Sequence, residues 1–354
     1  MNRILLISLA CAAMSMSLVA CGGGGGGGNG GGGNNPPSNR VATTYRLIAI
    51  PLMGGATENG AFAVNDDLQV VGSAGPAGAT KAFYWDEHNG LRSLHASTNP
   101  PTAFSNALDI SEAGDGAGVL TLGGWTRGFY SFPNASDFVD PDTADNDINT
   151  AWAINNNRVV VGGTGDTQVS LRAYRWTQAT GMQLLPNTSG ATAAEALDIN
   201  TRGDVVGYSF GADLIATIWA ADGTIRTFPL NGRDSVLHAI NTAGTAVGSN
   251  GATAFYVPYG GAPQTIALPA GSSSGEMMGI SDGGVAGGWR TSGGVDSAIA
   301  WSQLDGAVLL QSRLDTSGAG WTLNRVHHVS ANGTMAGEGT LGGQRRAIIL
   351  IPRT

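Results

Sequence analysis

The 354-residue sequence is poor in the groups that most enzymes and nucleic-acid binders rely on. Its only lysine is Lys81, and no basic run exceeds Arg345-Arg346, against 26 acidic residues and a net charge of −8. A chain that reads a phosphate backbone needs clustered positive charge, so nucleic acid is excluded as a partner. Cysteine occurs twice, at Cys11 and Cys21, and Cys11 falls in a leader that export would remove. With one cysteine left, an intramolecular disulfide, a thiolate metal site and a catalytic thiol are all excluded. The histidines His88, His95, His238, His327 and His328 lack metal-ligand spacing. On a strand, the adjacent His327 and His328 would point to opposite faces. No Gly-x-Ser-x-Gly elbow is present.

Residues 1–20 stand apart from the rest. Met1-Asn2-Arg3 carries a positive start, Ile4 to Val19 is apolar with small polar residues, and Leu18-Val19-Ala20-Cys21 ends the run. The run is shorter than the roughly 20 apolar residues a membrane-spanning helix needs. It resembles a bacterial lipoprotein signal peptide with its lipobox. The resemblance implies cleavage before Cys21 and lipidation of Cys21. Because Gly22 rather than Asp follows, it also implies transit to the outer membrane of a Gram-negative host. An ordinary secretory signal with a chance cysteine is the alternative. Residues 21–43 are glycine from Gly22 to Gly33 except for Asn29, then Asn- and Pro-rich. No strand precedes this glycine run and no helix follows, so it is a flexible tether rather than a phosphate loop. About 22 such residues reach roughly 25 Å, so the chain would meet the membrane through its lipid alone.

What the chain does have is one pattern repeated seven times: AVNDDLQVVG, DISEAGDGAGV, AINNNRVVVG, DINTRGDVVG, AINTAGTAVG, GISDGGVAG and HVSANGTMAG. The anchors Asn65, Ser111, Asn155, Asn200, Asn241, Ser281 and Ser330 lie 46, 44, 45, 41, 40 and 49 residues apart. A period near 40–45 made of short strands is the mark of a β-propeller blade. Within a repeat, small and apolar residues lead to the anchor, a turn follows, and a β-branched run such as Val159-Val160-Val161 returns. Asn at the start and Gly at the end, as in Asn200-Thr201-Arg202-Gly203, suit a type I turn closed in the left-handed region. A third strand carries a small residue three before a bulky one, at Ala82/Trp85, Ala173/Trp176, Ala216/Trp219 and Ala298/Trp301. Its aromatics are expected to be core between neighbouring sheets. A fourth strand follows a Gly-containing turn.

The ends fit a closed ring. The seventh repeat stops after its third strand, RAIILIPRT, while Tyr45 to Gly54 precedes the first anchor and aligns with the fourth strand Ile225 to Gly232. The predicted fold is therefore all-β. It is one seven-bladed propeller of four-stranded blades over residues 44–354, closed by the N-terminal strand at about 45–54, which leaves no exposed sheet edge. The blade pattern, (A/D)-I-N-x-x-G-x-V-V-G followed by Ala-aromatic and Leu strands, resembles the HAF-repeat family of probable extracellular bacterial proteins. The family's His-Ala-Phe step appears as Lys81-Ala82-Phe83, Arg172-Ala173-Tyr174 and Thr253-Ala254-Phe255, without its His. The resemblance implies an exported repeat protein and carries no activity with it.

Candidate chemistry is sought where the inner strands open on the central channel. Two residues before the anchors stand Ala63, Asp109, Ala153, Asp198, Ala239, Gly279 and His328. Small residues suit tight packing at the axis; Asp109, Asp198 and His328 break the pattern, either as turn-holding groups or as ligand contacts. Five before the anchors stand Gly60, Asn106, Thr150, Glu195, Val236, Glu276 and Arg325. Of these, Glu195, Glu276 and Arg325 would line the channel mouth as a polar ligand site, or serve as solvated rim. Asp137, Asp140, Asp142, Asp145 and Asp147 fall within 11 residues of the longest connection, and Asp140, Asp142, Asp145 and Asp147 are candidate calcium ligands. The EF-hand template fails there, because Asp145 takes the glycine position and Ala151 that of the closing Glu. Apart from calcium, no cofactor is implied. The expected function is a monomeric, non-enzymatic module that binds a protein or a glycan at the cell envelope. The alternatives are a glycan hydrolase with paired carboxylates at the channel mouth and a structural part of an envelope assembly, which would bear an apolar patch on its outer wall.

Overall fold

The computed structural model describes residues 39–353, apart from 77–78, 95–103, 123–124, 132–147, 168 and 231–233. Each anchor directly follows one of seven strands: Asn59–Val64, Ser105–Ile110, Ile148–Ile154, Ala193–Ile199, Ser235–Ile240, Ser274–Ile280 and Trp321–Val329. Each of these anchor strands pairs antiparallel with the β-branched return strand, which pairs with the third. Five sheets have four strands. A sixth, of seven strands, consists of two antiparallel groups, 105–131 and 148–184, joined only by a parallel bridge between Thr126 and Ile148. The seven anchor strands touch one another in chain order, and Trp321–Val329 returns to Asn59–Val64, so the circle is closed. Among the described residues no helix is long and apolar enough to cross a membrane.

Closure uses the N-terminal strand as expected. Thr44–Ala49 pairs antiparallel with the C-terminal strand Gln344–Arg353, from Thr44 opposite Arg353 to Ala49 opposite Ile348. The strand ends before Gly54 because Pro51 has no N–H to continue the ladder.

Two glycine positions explain why the pattern repeats. Three residues past the anchor the backbone turns left-handed, with φ of 81–92° at Gly114, Gly203, Gly244, Gly284 and Gly333. Leu68 and Arg158 hold the same turn at φ 60° and 59°, a region that L side chains occupy at a cost. Seven residues past the anchor, a Cβ on Gly72, Gly118, Gly162, Gly207, Gly248, Gly288 or Gly337 would lie 1.8–2.1 Å from the carbonyl oxygen of the residue five before the anchor. Only glycine permits that approach.

Opposite these glycines each anchor strand carries a β-bulge, where the pairing skips Phe62, Leu108, Trp152, Leu197, His238, Met278 and His327. A bulge re-aims the extra side chain. All seven skipped residues are at most 5% exposed, and Phe62, Leu108, Trp152, Leu197 and Met278 share one core cluster drawn from six repeats. Seven further clusters lie between neighbouring repeats, the last joining the seventh to the first. Trp85, Trp176, Trp219 and Trp301 are buried in these interfaces as expected. At about 1.5–3 kcal/mol per fully buried large side chain, they are main contributors to cohesion between repeats.

The anchors lock neighbouring repeats together. The side-chain amides of Asn65, Asn155, Asn200 and Asn241 donate to the backbone oxygen of the next anchor, Ser111, Asn200, Asn241 and Ser281, at 2.9–3.0 Å. Ser111 and Ser281 instead accept the N–H of Asp115 and Val285, closing their own turns. The anchor is thus a structural residue, and Asn or Ser serves because each can satisfy turn backbone.

Candidate functional site

The residues singled out near the axis fall into two groups. Asp109, Asp198 and His328 are buried and hold neighbouring repeats. Asp109 accepts the N–H of Ile154 at 2.8 Å, Asp198 those of Ile199 at 2.6 Å and Ile240 at 2.7 Å, and His328 Nδ1 accepts that of Val64 at 3.3 Å. Each takes the N–H of the residue just before the next anchor, and the His328 bond closes the circle. A ligand reaching Asp198 or His328 would have to pry neighbouring repeats apart, so the expectation that they contact ligand is corrected to a role in cohesion.

Glu195 is corrected in the same way. It is fully buried rather than at a channel mouth. Its Oε1 accepts from Thr150 Oγ1 at 2.9 Å and Trp152 Nε1 at 2.6 Å, and its Oε2 accepts from the Tyr208 hydroxyl at 2.6 Å. Thr150 and Trp152 belong to the preceding repeat, and Tyr208 lies opposite Glu195 on the return strand.

Glu276 has the same repeat position without those donors. Val236 stands where Thr150 does, His238 where Trp152 does, and Trp289 opposite Glu276 where Tyr208 does. Among the described residues Glu276 makes no hydrogen bond; its nearest charged or ionisable partner is His238 Nε2 at 3.8 Å, already engaged with Ser249 Oγ at 3.1 Å. The Glu276 side chain keeps 27% exposure. Its surroundings push the carboxyl up to about 7, chiefly by burial, with Asp296 adding and Arg325 opposing. Burial lowers His238 to about 4, so its imidazole is neutral.

Arg325 sits beside this carboxyl and is neutralised. Its Nε and Nη2 both donate to Asp296 Oδ2, the first at 2.8 Å, and its guanidinium lies 4.6 Å from the Trp289 ring centre. The other Asp296 oxygen accepts from Thr291 at 2.7 Å. His327 also lies against Trp289, ring centres 6.2 Å apart, and Phe62 meets the His327 ring edge-on at 5.8 Å. His327 is 2% exposed and its Nδ1 has no hydrogen-bond partner. Burial, with Arg325 and Arg345 nearby, drives it down to about 3. The seam between the fifth, sixth and seventh repeats therefore gathers an unpartnered carboxyl, two neutral imidazoles and an Arg-Asp pair around one indole.

The sequence reading missed His238, Trp289 and Asp296 here. The signal for His238 was present but misaligned: the column three before the anchor reads Phe62, Leu108, Trp152, Leu197, His238, Met278, His327, large and apolar except for the two histidines. Strict alternation could not aim that column at the axis, because the bulge breaks the period.

The opposite, anchor-turn end is acidic. Asp66 N–H donates to Glu112 Oε2 at 3.0 Å, and Glu112 N–H to Asn156 Oδ1 at 2.8 Å. Burial, aided by Asp66, Asp67 and Asp282, pushes Glu112 up to about 8. A hollow of about 340 Å³ on the first repeat is lined by Asp67, Tyr84, Asp86 and His88, among others. The proposed calcium ligands Asp140, Asp142, Asp145 and Asp147 lie outside the described residues, as does Cys21. Among the described residues no group of three or more His, Cys, Asp or Glu side chains is placed to hold a metal ion.

No family model matches the chain, and no curated protein matches it. Solved structures do. Streptogramin B lyase superposes with a TM-score of 0.54 at 13% identity over 88% of this chain and 99% of that one. Oligogalacturonate lyase from Vibrio parahaemolyticus gives 0.53 at 11% identity over 87% and 97%. YCF48 bound to D1 peptide gives 0.51 at 11% identity over 90% and 97%. At such identities the likeness speaks to architecture alone, and with the closed circle of antiparallel sheets it shows an all-β propeller.

Proposed function

We propose that this chain is an exported, lipid-anchored, seven-bladed propeller that binds a protein or glycan at the cell envelope, with Glu276 and Arg325 on its contact face. The observation that carries the reading is Glu276. A carboxyl half withdrawn from water without a hydrogen bond is costly to keep, and no fold contact explains it. Counting 105–131 and 148–184 as separate blades supports the number seven. Export and lipidation are supported by Met1 to Cys21 and by the HAF-repeat resemblance. The partners YCF48 and the two lyases meet are theirs; they serve here only as instances of what the architecture hosts.

The test is a thermal-shift screen of the full chain against glycans, peptidoglycan fragments, envelope protein fractions and calcium, with and without chelator. A ligand at about 100 times its Kd adds roughly 2.7 kcal/mol. A shift abolished by Glu276→Ala supports the contact face, and shifts indifferent to that change sink it. Metabolic labelling with a lipid precursor tests the anchor: label lost in Cys21→Ala supports it, and label absent from the parent chain overturns it.

A hydrolytic reading has one observation in its favour. Burial raises the Glu276 carboxyl to about 7 while Asp296 is paired to Arg325, the kind of separation that acid and base carboxylates need. Release of reducing ends from a glycan, lost in Glu276→Gln, would establish it.

A further inference from the structure

Glu195 and Glu276 differ in a way that specifies a ligand. At Glu195, three donors from Thr150, Trp152 and Tyr208 fill the carboxylate. At Glu276, the same three places hold Val236, which has no donor, His238, whose Nε2 is taken by Ser249, and Trp289, which stacks under Arg325. Gly163, where a Cβ would come within 3.1 Å of the Glu195 side chain, has Ser249 as its counterpart. Each substitution removes a donor or turns it elsewhere, leaving both Glu276 oxygens for an outside group.

The charged groups nearest Glu276 are paired or neutral. Arg325 is neutralised by Asp296, and His238 and His327 are uncharged. A uronate or phosphate would bring a further anion against Glu276 and Asp296, and an ammonium ligand would sit against Arg325. In its protonated form the carboxyl offers one O–H donor and one carbonyl acceptor, the pair that a sugar hydroxyl or acetamido group satisfies on both sides.

We infer that the Glu276 carboxyl, left without the internal donors that Glu195 has, takes a neutral, hydroxyl- or acetamido-bearing glycan rather than a uronate or an amino sugar. This rests on the reading of this face as the contact face.

The test titrates the full chain with neutral cello- and chito-oligosaccharides, oligogalacturonate and deacetylated chitosan oligomers. A neutral oligomer is expected to bind, weakening at least threefold as pH rises from 6 to 8.5. Glu276→Gln, the uncharged isostere, should keep affinity within about threefold and flatten the pH profile. Glu276→Ala should lose tenfold or more. Neither change removes an intramolecular hydrogen bond, so neither variant should melt well below the parent, which separates lost binding from lost fold. Binding confined to the charged oligomers, or lost as fully in Glu276→Gln as in Glu276→Ala, overturns the inference and leaves the face reading intact. Sugar binding unchanged by Glu276→Ala overturns both. No binding of any oligomer overturns the glycan inference and leaves a protein partner for the face.

Discussion

Glu195 and Glu276 occupy one repeat position, five residues before an anchor, and share a backbone. Both peptide oxygens face a glycine, Gly207 or Gly288, at a distance no Cβ tolerates. Yet one carboxyl is sealed among three donors and the other is left without any. In this propeller the repeat dictates where a side chain sits, and the three residues around it decide whether it ties the fold together or is left without an internal partner. Position in the pattern is therefore a poor guide to role, and the occupants of neighbouring columns a better one.

The largest expected effect lies on the sealed side. Glu195→Ala strands buried Thr150, Trp152 and Tyr208 donors and should cost about 3–5 kcal/mol, read by denaturant unfolding. Glu276→Ala should cost less than about 1 kcal/mol in the same assay, since no internal bond is lost. Equal losses at the two sites would break the comparison. Next come the shared glycines. Gly207→Ala and Gly288→Ala should each cost about 2–3 kcal/mol, because the new Cβ meets a carbonyl that only a backbone shift can move. Their losses should match within about 0.5 kcal/mol; a large difference would place the contrast in the backbone rather than in the side chains.

Much of the architecture was legible in the sequence because its cause is local and repeated. The anchor's turn bonding, the left-handed glycine and the close-approach glycine each recur at a fixed offset, and the unmatched first and last strands require each other. The site was legible only in part. Glu276 and Arg325, on which the proposal rests, stood in the column five before the anchor, but Glu195, Asp198 and His328 stood in equally suggestive columns and turned out to be internal ties. Whether a carboxyl is satisfied depends on Thr150 or Val236 some 40 residues earlier and on Tyr208 or Trp289 across a hairpin. The bulge that swings Trp152 and His238 toward the axis is not declared by any single residue.

pH offers the next effect in size. Glu276 holds its proton to about 7 in the fold against an ordinary 4.5, so between those values the folded chain binds more protons than the unfolded one. Its contribution is intact below about pH 4.5 and is lost as pH rises to 7, by about 2 kcal/mol once its partial exposure is allowed for. Glu112 acts in the same direction up to about pH 8, chiefly through burial and then through its acidic neighbours. Stability should therefore fall from about pH 6.5 to pH 8; below 6.5 the buried neutral His238 and His327, held down to about 4 and about 3, oppose the trend, because the unfolded chain binds their protons. Glu276→Gln should remove the share of the slope below 7, and Glu112→Gln the share reaching 8. A stability that rises over this range would refute the assignment of both carboxyls.

The smallest effect is the sharpest test of the comparison. Val236 stands where Thr150 stands, and Val236→Thr adds the missing hydroxyl with almost no change of shape. A buried valine replaced by threonine ordinarily costs about 1–2 kcal/mol, because the hydroxyl is desolvated without return. If the new hydroxyl donates to Glu276 as that of Thr150 donates to Glu195, it should cost less than about 1 kcal/mol. It should also lower the pH at which Glu276 ionises, because a donor favours the carboxylate. Affinity for a neutral oligosaccharide should then fall, since one oxygen is engaged from within. A full valine-to-threonine penalty with an unmoved pH profile would mean that the two seams differ in more than their side chains, and that Glu276 cannot be turned into a second Glu195 by restoring its donors.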